Sequence, residues 1–183
     1  MELRYPDPPL ADAVVHLRAW ELRDAGCVEE AGSDPRILAH TTVPPRFTEA
    51  AGEAFVERQR RRLETGQGVS LAVVAAGTDR AVGLVWLARR PQRHVLGLGY
   101  WVVPSARGSG LGTHAVDLAT RWALRDLGAA RVEAWVEVDN AASQRLLCSV
   151  GFVREGTLRA FLDVAVRPRD AIVFSRLTQD PTR

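Results

Sequence analysis

Residues 102–112, Val-Val-Pro-Ser-Ala-Arg-Gly-Ser-Gly-Leu-Gly, carry the pattern in this chain most able to do chemistry. An apolar, strand-like run stops at Pro104, three glycines alternate behind Arg107, and a helix-like pattern begins at Leu111. A strand that ends in such a loop and feeds a helix gathers backbone N–H groups at the positive end of the helix, a general device for holding phosphate. Gly108, Gly110 and Gly112 remove the Cβ atoms that would keep a ligand off the backbone. A nucleotide, a pantetheine carrier and an empty tight turn all fit this much. The dinucleotide fingerprint fits less well, because it needs a third glycine three positions after Gly110, where Thr113 stands.

All 24 basic residues are arginine; the chain has no lysine. That excludes a P-loop, a protein kinase and a Schiff-base enzyme, each of which depends on a lysine amine. Cys27 and Cys148 lie far apart without a Cys-x-x-Cys partner, and His16, His40, His94 and His114 show no paired ligand spacing, so no metal is expected. The net charge of +2 is mild. Its one dense cluster, Arg58 with Arg60, Arg61 and Arg62, has no interleaved aromatics and reads as a solvated helix face, with no nucleic-acid partner expected.

These side chains need a scaffold, and 183 residues with 46% hydrophobic content are enough for a single domain over 1–183 with a substantial core. The first ten residues carry acids and prolines where an export signal needs an apolar run. The longest apolar run, Ala81 to Ala88, is far short of a membrane span, so a cytoplasmic protein is expected. Val14 to Ala19 reads as a first strand, followed by short helices over Glu21 to Ala31 and Pro35 to His40. Thr48 can cap a longer helix running to Thr65, with Gly66 as the stop. Val69 to Ala76 and Ala81 to Ala88 are strands joined by a turn of hairpin length, and Val95 to Val103 is a third.

After the glycine loop, Leu111, Ala115, Leu118 and Trp122 make one apolar stripe on a helix that ends near Leu127 before Gly128. Arg131 to Val138 is a strand, Asn140 starts a shorter helix, and Gly151-Phe152 ends it. Two more strands lie near Phe152 to Phe161 and Ala171 to Leu177, with Arg167-Pro168-Arg169 as the connection. The class is α/β (α+β) with a mixed sheet.

Arg107 to Gly112 matches the signature Gln/Arg-x-x-Gly-x-Gly/Ala, and Gly-Tyr-Trp-Val-Val-Pro precedes it. Residues 138–152 read Asn-x-x-Ser followed at a distance by Gly-Phe, in outline Asn-x-x-Ala/Ser…Gly-Phe, and residues 154–177 contain Glu-Gly-x-x-Arg, then Arg-Asp and a Phe-Ser-x-Leu ending. Together these blocks resemble the GCN5-related N-acetyltransferase (GNAT) superfamily, and within it the branch of ribosomal-protein alanine and serine N-acetyltransferases. The resemblance implies a mostly antiparallel central sheet flanked by helices, with a splayed notch between the family's strands 4 and 5, here the strand ending at Val103 and the one beginning near Arg131. It also implies acetyl-CoA as cosubstrate. The CoA diphosphate would lie on the amides of Arg107, Gly108, Ser109, Gly110, Leu111 and Gly112, with Thr113 adjoining. The thioester oxygen would be held by the backbone N–H of Val102 or Val103, and Asn140 would cap its helix or bind the pantetheine amides.

Direct attack of a primary amine on the thioester is the implied chemistry, with the backbone donor acting as an oxyanion hole. An α-amino group, with a reference pKa of roughly 7.7–8.0, needs less help to become neutral than a lysine amine near roughly 10.4. The chain departs from the family at two positions. Gly97 stands where many relatives keep a glutamate, and Leu147 where many keep a tyrosine acid. Ser143, where the ribosomal-protein branch also has serine, is the substitute acid and also lies beside the cofactor. Asp163 is the candidate base, with Glu137 and Asp170 competing. Tyr100, Trp101 and Trp86 read as core aromatics, and Phe161 as part of an acceptor pocket.

The implied acceptor is a protein N-terminus or a small-molecule amine, with no membrane partner expected and a homodimer left open. An antibiotic-modifying acetyltransferase is the second reading, disfavoured because few acids cluster in the variable loops. A non-catalytic acyl-CoA-binding regulator is the third, favoured by the missing glutamate and tyrosine.

Overall fold

The computed structural model describes residues 1–164 and 167–180. Its strands are β1 (Leu10–Ala11), β2 (Val15–Arg18), β3 (Gly68–Ala75), β4 (Ala81–Arg89), β5 (Val95–Val102), β6 (Arg131–Glu137), β7 (Val153–Val164) and β8 (Arg167–Leu177). They form one sheet in the order β1-β2-β3-β4-β5-β6-β8-β7. Every neighbouring pair is antiparallel except β5 and β6. The helices are α1 (Ala25–Ala31), α2 (Pro35–His40), α3 (Glu49–Glu64), α4 (Leu111–Arg125) and α5 (Ala141–Ser149).

The apolar run of β3 is continuous because both faces of the sheet are covered. Val69, Leu71 and Val73 join the core on the α4 side, while Ala72 and Val74 join the core on the side of α1, α2 and α3. On that second side Trp20 packs on Phe55 edge to face, with ring centroids 5.5 Å apart, and against Trp101 at 6.3 Å. The helix α3 presents Gly52, Phe55, Val56 and Gln59 inward, at the spacing of a helical stripe. The buried Gln59 carboxamide accepts the hydroxyl of buried Ser70 at 3.0 Å, so neither polar group is orphaned. Its start is the one the sequence predicts, with the Thr48 side chain accepting the Ala51 N–H. In α4 the buried stripe runs through Leu111, Ala115, Ala119 and Trp122, joined by Val116 and Ala123; Leu118 is only partly buried.

Two features differ from expectation. β1, only two residues long, was too short to leave an alternation. The expected connection at Arg167-Pro168-Arg169 is instead the start of β8, with Pro168 opposite Asp163 of β7. Proline is accommodated there because β8 pairs with β6 only from Ala171 to Leu177. Residues before Ala171 therefore form a two-stranded ribbon beyond the sheet body, where no β6 carbonyl waits for the missing N–H.

The last three strands are tied by one ionic cluster. Arg131 of β6 donates to both carboxylate oxygens of Glu155 on β7, at 2.7 and 2.5 Å, and Ser175 of the intervening β8 donates to the same group at 2.6 Å. Arg131 holds the Glu155 carboxyl down at about 2, with burial opposing. A depressed carboxyl pKa stabilises the fold above the unfolded value of about 4.3 and loses that contribution as pH falls toward the folded value. The Glu155 side chain is 39% exposed, so screening limits the effect to about 1 kcal/mol. Urea melts should show Glu155→Gln less stable than the parent at pH 6, with the gap closing between about pH 4.3 and pH 2. A gap that does not change with pH would contradict the assignment.

Among the described residues no helix is long and apolar enough to cross a membrane. No group of three or more His, Cys, Asp or Glu side chains among them is placed to hold a metal ion.

Candidate active site

β5 pairs with β4 along nearly its whole length, from Leu96 opposite Arg89 to Val102 opposite Gly83. Its parallel pairing with β6 stops after Val95, Leu96 and Gly97. Beyond that point β6 follows β8 and the two strands separate, leaving the unpaired half of β5 on a cleft of 1310 Å³. This is the expected notch.

The ladder fixes which backbone donors face it. The Val103 N–H donates to the Val82 carbonyl at 2.9 Å, so Val103 is engaged with β4 and is not the free donor. Successive residues of a strand point their N–H groups to opposite sides. Val102 therefore points its N–H into the notch. Its carbonyl faces the same way and accepts Arg107 Nε at 3.0 Å.

The glycine loop closes one end of the cleft. Gly108 and Gly110 have φ of +79° and +82°, a region that favours glycine, and Gly110 is the N-cap of α4. The helix has no side-chain cap and no acid in its first turn. Its ladder begins with the His114 N–H on the Gly110 carbonyl, at 3.1 Å. The N–H groups of Leu111, Gly112 and Thr113 therefore have no helical partner and open on the cleft. A Cβ at Gly112 would lie 3.4 Å from both Leu146 and Val102, so glycine there lets α4 begin hard against β5 and α5. Ser109 is turned back onto the Ala106 carbonyl at 2.7 Å. The Arg107 guanidinium pairs with Asp34, the N-cap of α2, which anchors the loop.

Across the notch the Tyr100 hydroxyl meets Ser143 Oγ at 2.5 Å. Burial pushes the Tyr100 phenol up to about 12, against the pull of the Ser143 hydrogen bond. Asn140 caps α5 by accepting the Ser143 N–H at 3.2 Å, and both residues line the cleft. Glu137, at the end of β6, lines it too and is in contact with His40 Nε2.

The remaining expected residues fall elsewhere. Asp163 is exposed on β7, and its neighbours Leu162 and Val164 are the ones that line the cleft; strand alternation turns Asp163 away. Asp170 accepts the Ala160 N–H at 2.8 Å and shapes the β7–β8 ribbon. Phe161 packs edge-on against Trp135, a cleft residue, at 4.6 Å. Leu147 is fully buried. The arginine cluster of α3 is not wholly solvated: Arg60 donates to the Trp20 carbonyl at 2.7 Å, and Arg62 lies over the Trp86 ring, 4.3 Å from its centroid, inside the cleft. Phe55, Gln59 and Arg62, spaced by four and three, were the readable sign of that orientation. Tyr100 was the other omission, since nothing local ties it to a serine 43 residues away.

Comparison with known proteins agrees with this geometry. Residues 15–153 match the family described as Acetyltransferase (GNAT) domain. The uncharacterized N-acetyltransferase p20 of Bacillus licheniformis is 26% identical over 165 residues, covering 90% of this chain and 93% of that one. RimJ of Mycobacterium smegmatis, solved in complex with CoA-disulfide, superposes with a TM-score of 0.79 at 24% identity, over 92% of this chain and 85% of that one. The ribosomal-protein-S5-alanine acetyltransferase of Vibrio fischeri gives a TM-score of 0.77 at 20% identity, over 94% and 97%. The sheet parted after Gly97, the uncapped glycine entry to α4 and the family match across residues 15–153 together make this chain a member of the GNAT family of N-acetyltransferases.

Proposed function

We propose that the protein moves the acetyl group of acetyl-CoA directly to a primary amine, on a protein N-terminus or a small molecule. The observation that carries this is the unpartnered run of N–H groups from Leu111 to Thr113 opening on the same cleft as the Val102 N–H and the Tyr100–Ser143 pair. That run suits a diphosphate: positive-φ glycines let it approach, and no side chain competes for the donors. Acetyl-CoA would supply an acyl group activated as a thioester.

The chain's own groups divide the remaining work. The Val102 N–H is aimed to stabilise negative charge developing on a carbonyl oxygen. Ser143 can donate its hydroxyl proton to the departing thiolate and recover one from Tyr100, which is held protonated by burial and regains its own proton from solvent. Glu137, held by His40, replaces Asp163 as the group to take the proton of the incoming amine.

The test is release of free thiol from acetyl-CoA across a panel of amines, with mass analysis of the products. Ser143→Ala and Tyr100→Phe should each lower kcat about tenfold or more while acetyl-CoA binding is kept. Glu137→Gln should move the rate maximum to higher pH, where the amine is neutral unaided. Tight CoA binding without turnover on any amine would instead identify a non-catalytic acyl-CoA binder.

A further inference from the structure

We infer that the acceptor amine also carries an anionic group, a carboxylate or a phosphate, seated on the guanidinium groups of Arg62 and Arg90 between Trp86 and Trp135. This rests on the acetyl-transfer function proposed above and names its acceptor class.

Away from the glycine loop the cleft is lined by bare backbone at Gly99, with buried Gly97 just beyond it. Gly97 and Gly99 of β5 lie opposite Ala88 and Trp86 of β4. A Cβ at Gly99 would touch Trp86 Cδ1 at 3.7 Å. One at Gly97 would come within 2.5 Å of the Arg90 guanidinium, so the space that a side chain would fill is held by an arginine. This also gives a physical reason for the missing glutamate: a side chain at position 97 and Arg90 in its present place exclude each other.

Both arginines are stacked, Arg90 on Trp135 at 3.6 Å and Arg62 on Trp86 at 4.3 Å. Stacking uses the faces of the guanidinium and leaves its N–H edges for a planar or tetrahedral anion. Their charges are poorly matched. Among the described residues Arg62 has no acidic partner, and burial together with neighbouring Arg58 pushes its pKa down. Arg90 has one partner, Glu133 at 3.3 Å, which Arg131 also holds at 3.1 Å. The atom that faces Glu133 is the buried Arg90 Nε, and the contact is too poorly aligned to count as a hydrogen bond. Arg36, Arg107, Arg145 and Arg169 also line the cleft, and of these Arg107 is paired with Asp34. The acids that line the cleft are Asp139 and Glu137, which is in contact with His40 and stands two residues along β6 from Trp135.

These arginines are too far off to serve the diphosphate. Val102 lies five residue steps from Gly97, beside Arg90, and three from Gly99, opposite the Trp86 that carries Arg62, about 17 and 10 Å at the usual rise, and the loop amides lie farther on. An amine offered to the notch from the far end of β5 would therefore have its remaining atoms over Gly97 and Gly99. A half-buried arginine without a counter-ion is costly, and an anion arriving with the acceptor removes that cost. A polycationic acceptor would add like charge to the same place.

The experiment compares matched amines, O-phosphoethanolamine with ethanolamine and L-phenylalanine with L-phenylalaninamide, as kcat/KM per neutral amine. The anionic member of at least one pair should be preferred about tenfold or more, and the pair that shows it tells phosphate from carboxylate. Arg62→Gln and Arg90→Gln should each reduce that ratio about tenfold. Calorimetric titration of the CoA-loaded protein with the preferred amine gives a readout without turnover, and the same substitutions should weaken it about tenfold. Unchanged melting temperature and CoA affinity in the variants would show that the fold is intact. CoA binding and acetyl transfer with no preference in either pair, or a preference that survives both substitutions, would overturn the anionic acceptor and leave acetyl transfer standing. Failure to bind CoA at all would overturn both.

Discussion

Val102→Pro should lower kcat by about 10²–10³-fold while CoA affinity changes less than about tenfold, measured by thiol release and by calorimetry. Proline deletes one N–H and leaves the carbonyl. At most strand positions that would break a ladder bond, but the Val102 N–H faces the parted side of β5 and the ladder to β4 runs through its neighbours. Proline is accepted where no strand hydrogen bond is lost. Its neighbour Trp101 is already extended, as a residue before proline must be. The amides proposed to hold the diphosphate lie beyond Pro104. Loss of rate with binding retained would mark a donor that acts on developing charge, whereas an unchanged kcat would remove Val102 from the machinery. Val103→Pro serves as the contrast, because it breaks the bond to Val82 and should cost stability.

The second large effect belongs to Gly110→Asp, which should weaken CoA binding by about a hundredfold or more. The new carboxylate would stand at the entrance to α4, where it can take the N–H groups of Leu111 to Thr113 for itself and repel a diphosphate. The backbone there has φ +82°, which strains any side chain, so Gly110→Ala measures that strain alone. The aspartate variant should lose far more affinity than the alanine variant while melting no lower, since aspartate tolerates this region better and caps the helix. Equal losses in the two would mean that strain, and not occupation of the amides, accounts for the effect.

What was legible in the sequence was local. Thr48 as a cap, the β3–β4 hairpin, the glycine entry to α4 and the Asn140 cap each follow from residues within a few positions of one another, and each stands where expected. The parted strands came from resemblance. What escaped depends on register or on distance along the chain. Whether Val102 or Val103 offers its N–H is decided by pairing with Val82. Asp163 looked available because the segment before Asp170 read as a loop; once it is a strand, its parity with Leu162 and Val164 removes it from the cleft. The partnership of Tyr100 with Ser143 joins two segments that only the fold brings together. The arginines of α3 read as a surface cluster because charge usually is surface, and the helical phase of Arg62 with Phe55 was the overlooked clue.

The separation of β5 from β6 after Gly97 has a thermodynamic meaning as well as a chemical one. Continued pairing would add ladder bonds worth about 0.5–1.5 kcal/mol each and would turn the sheet into an unbroken wall between the core beneath α4 and the core beneath α3. The molecule forgoes those bonds and gains a doorway. Backbone donors of β5 that a continued ladder would consume stay free beyond Gly97, and the same gap that lowers the stability of the scaffold is what opens them to a ligand.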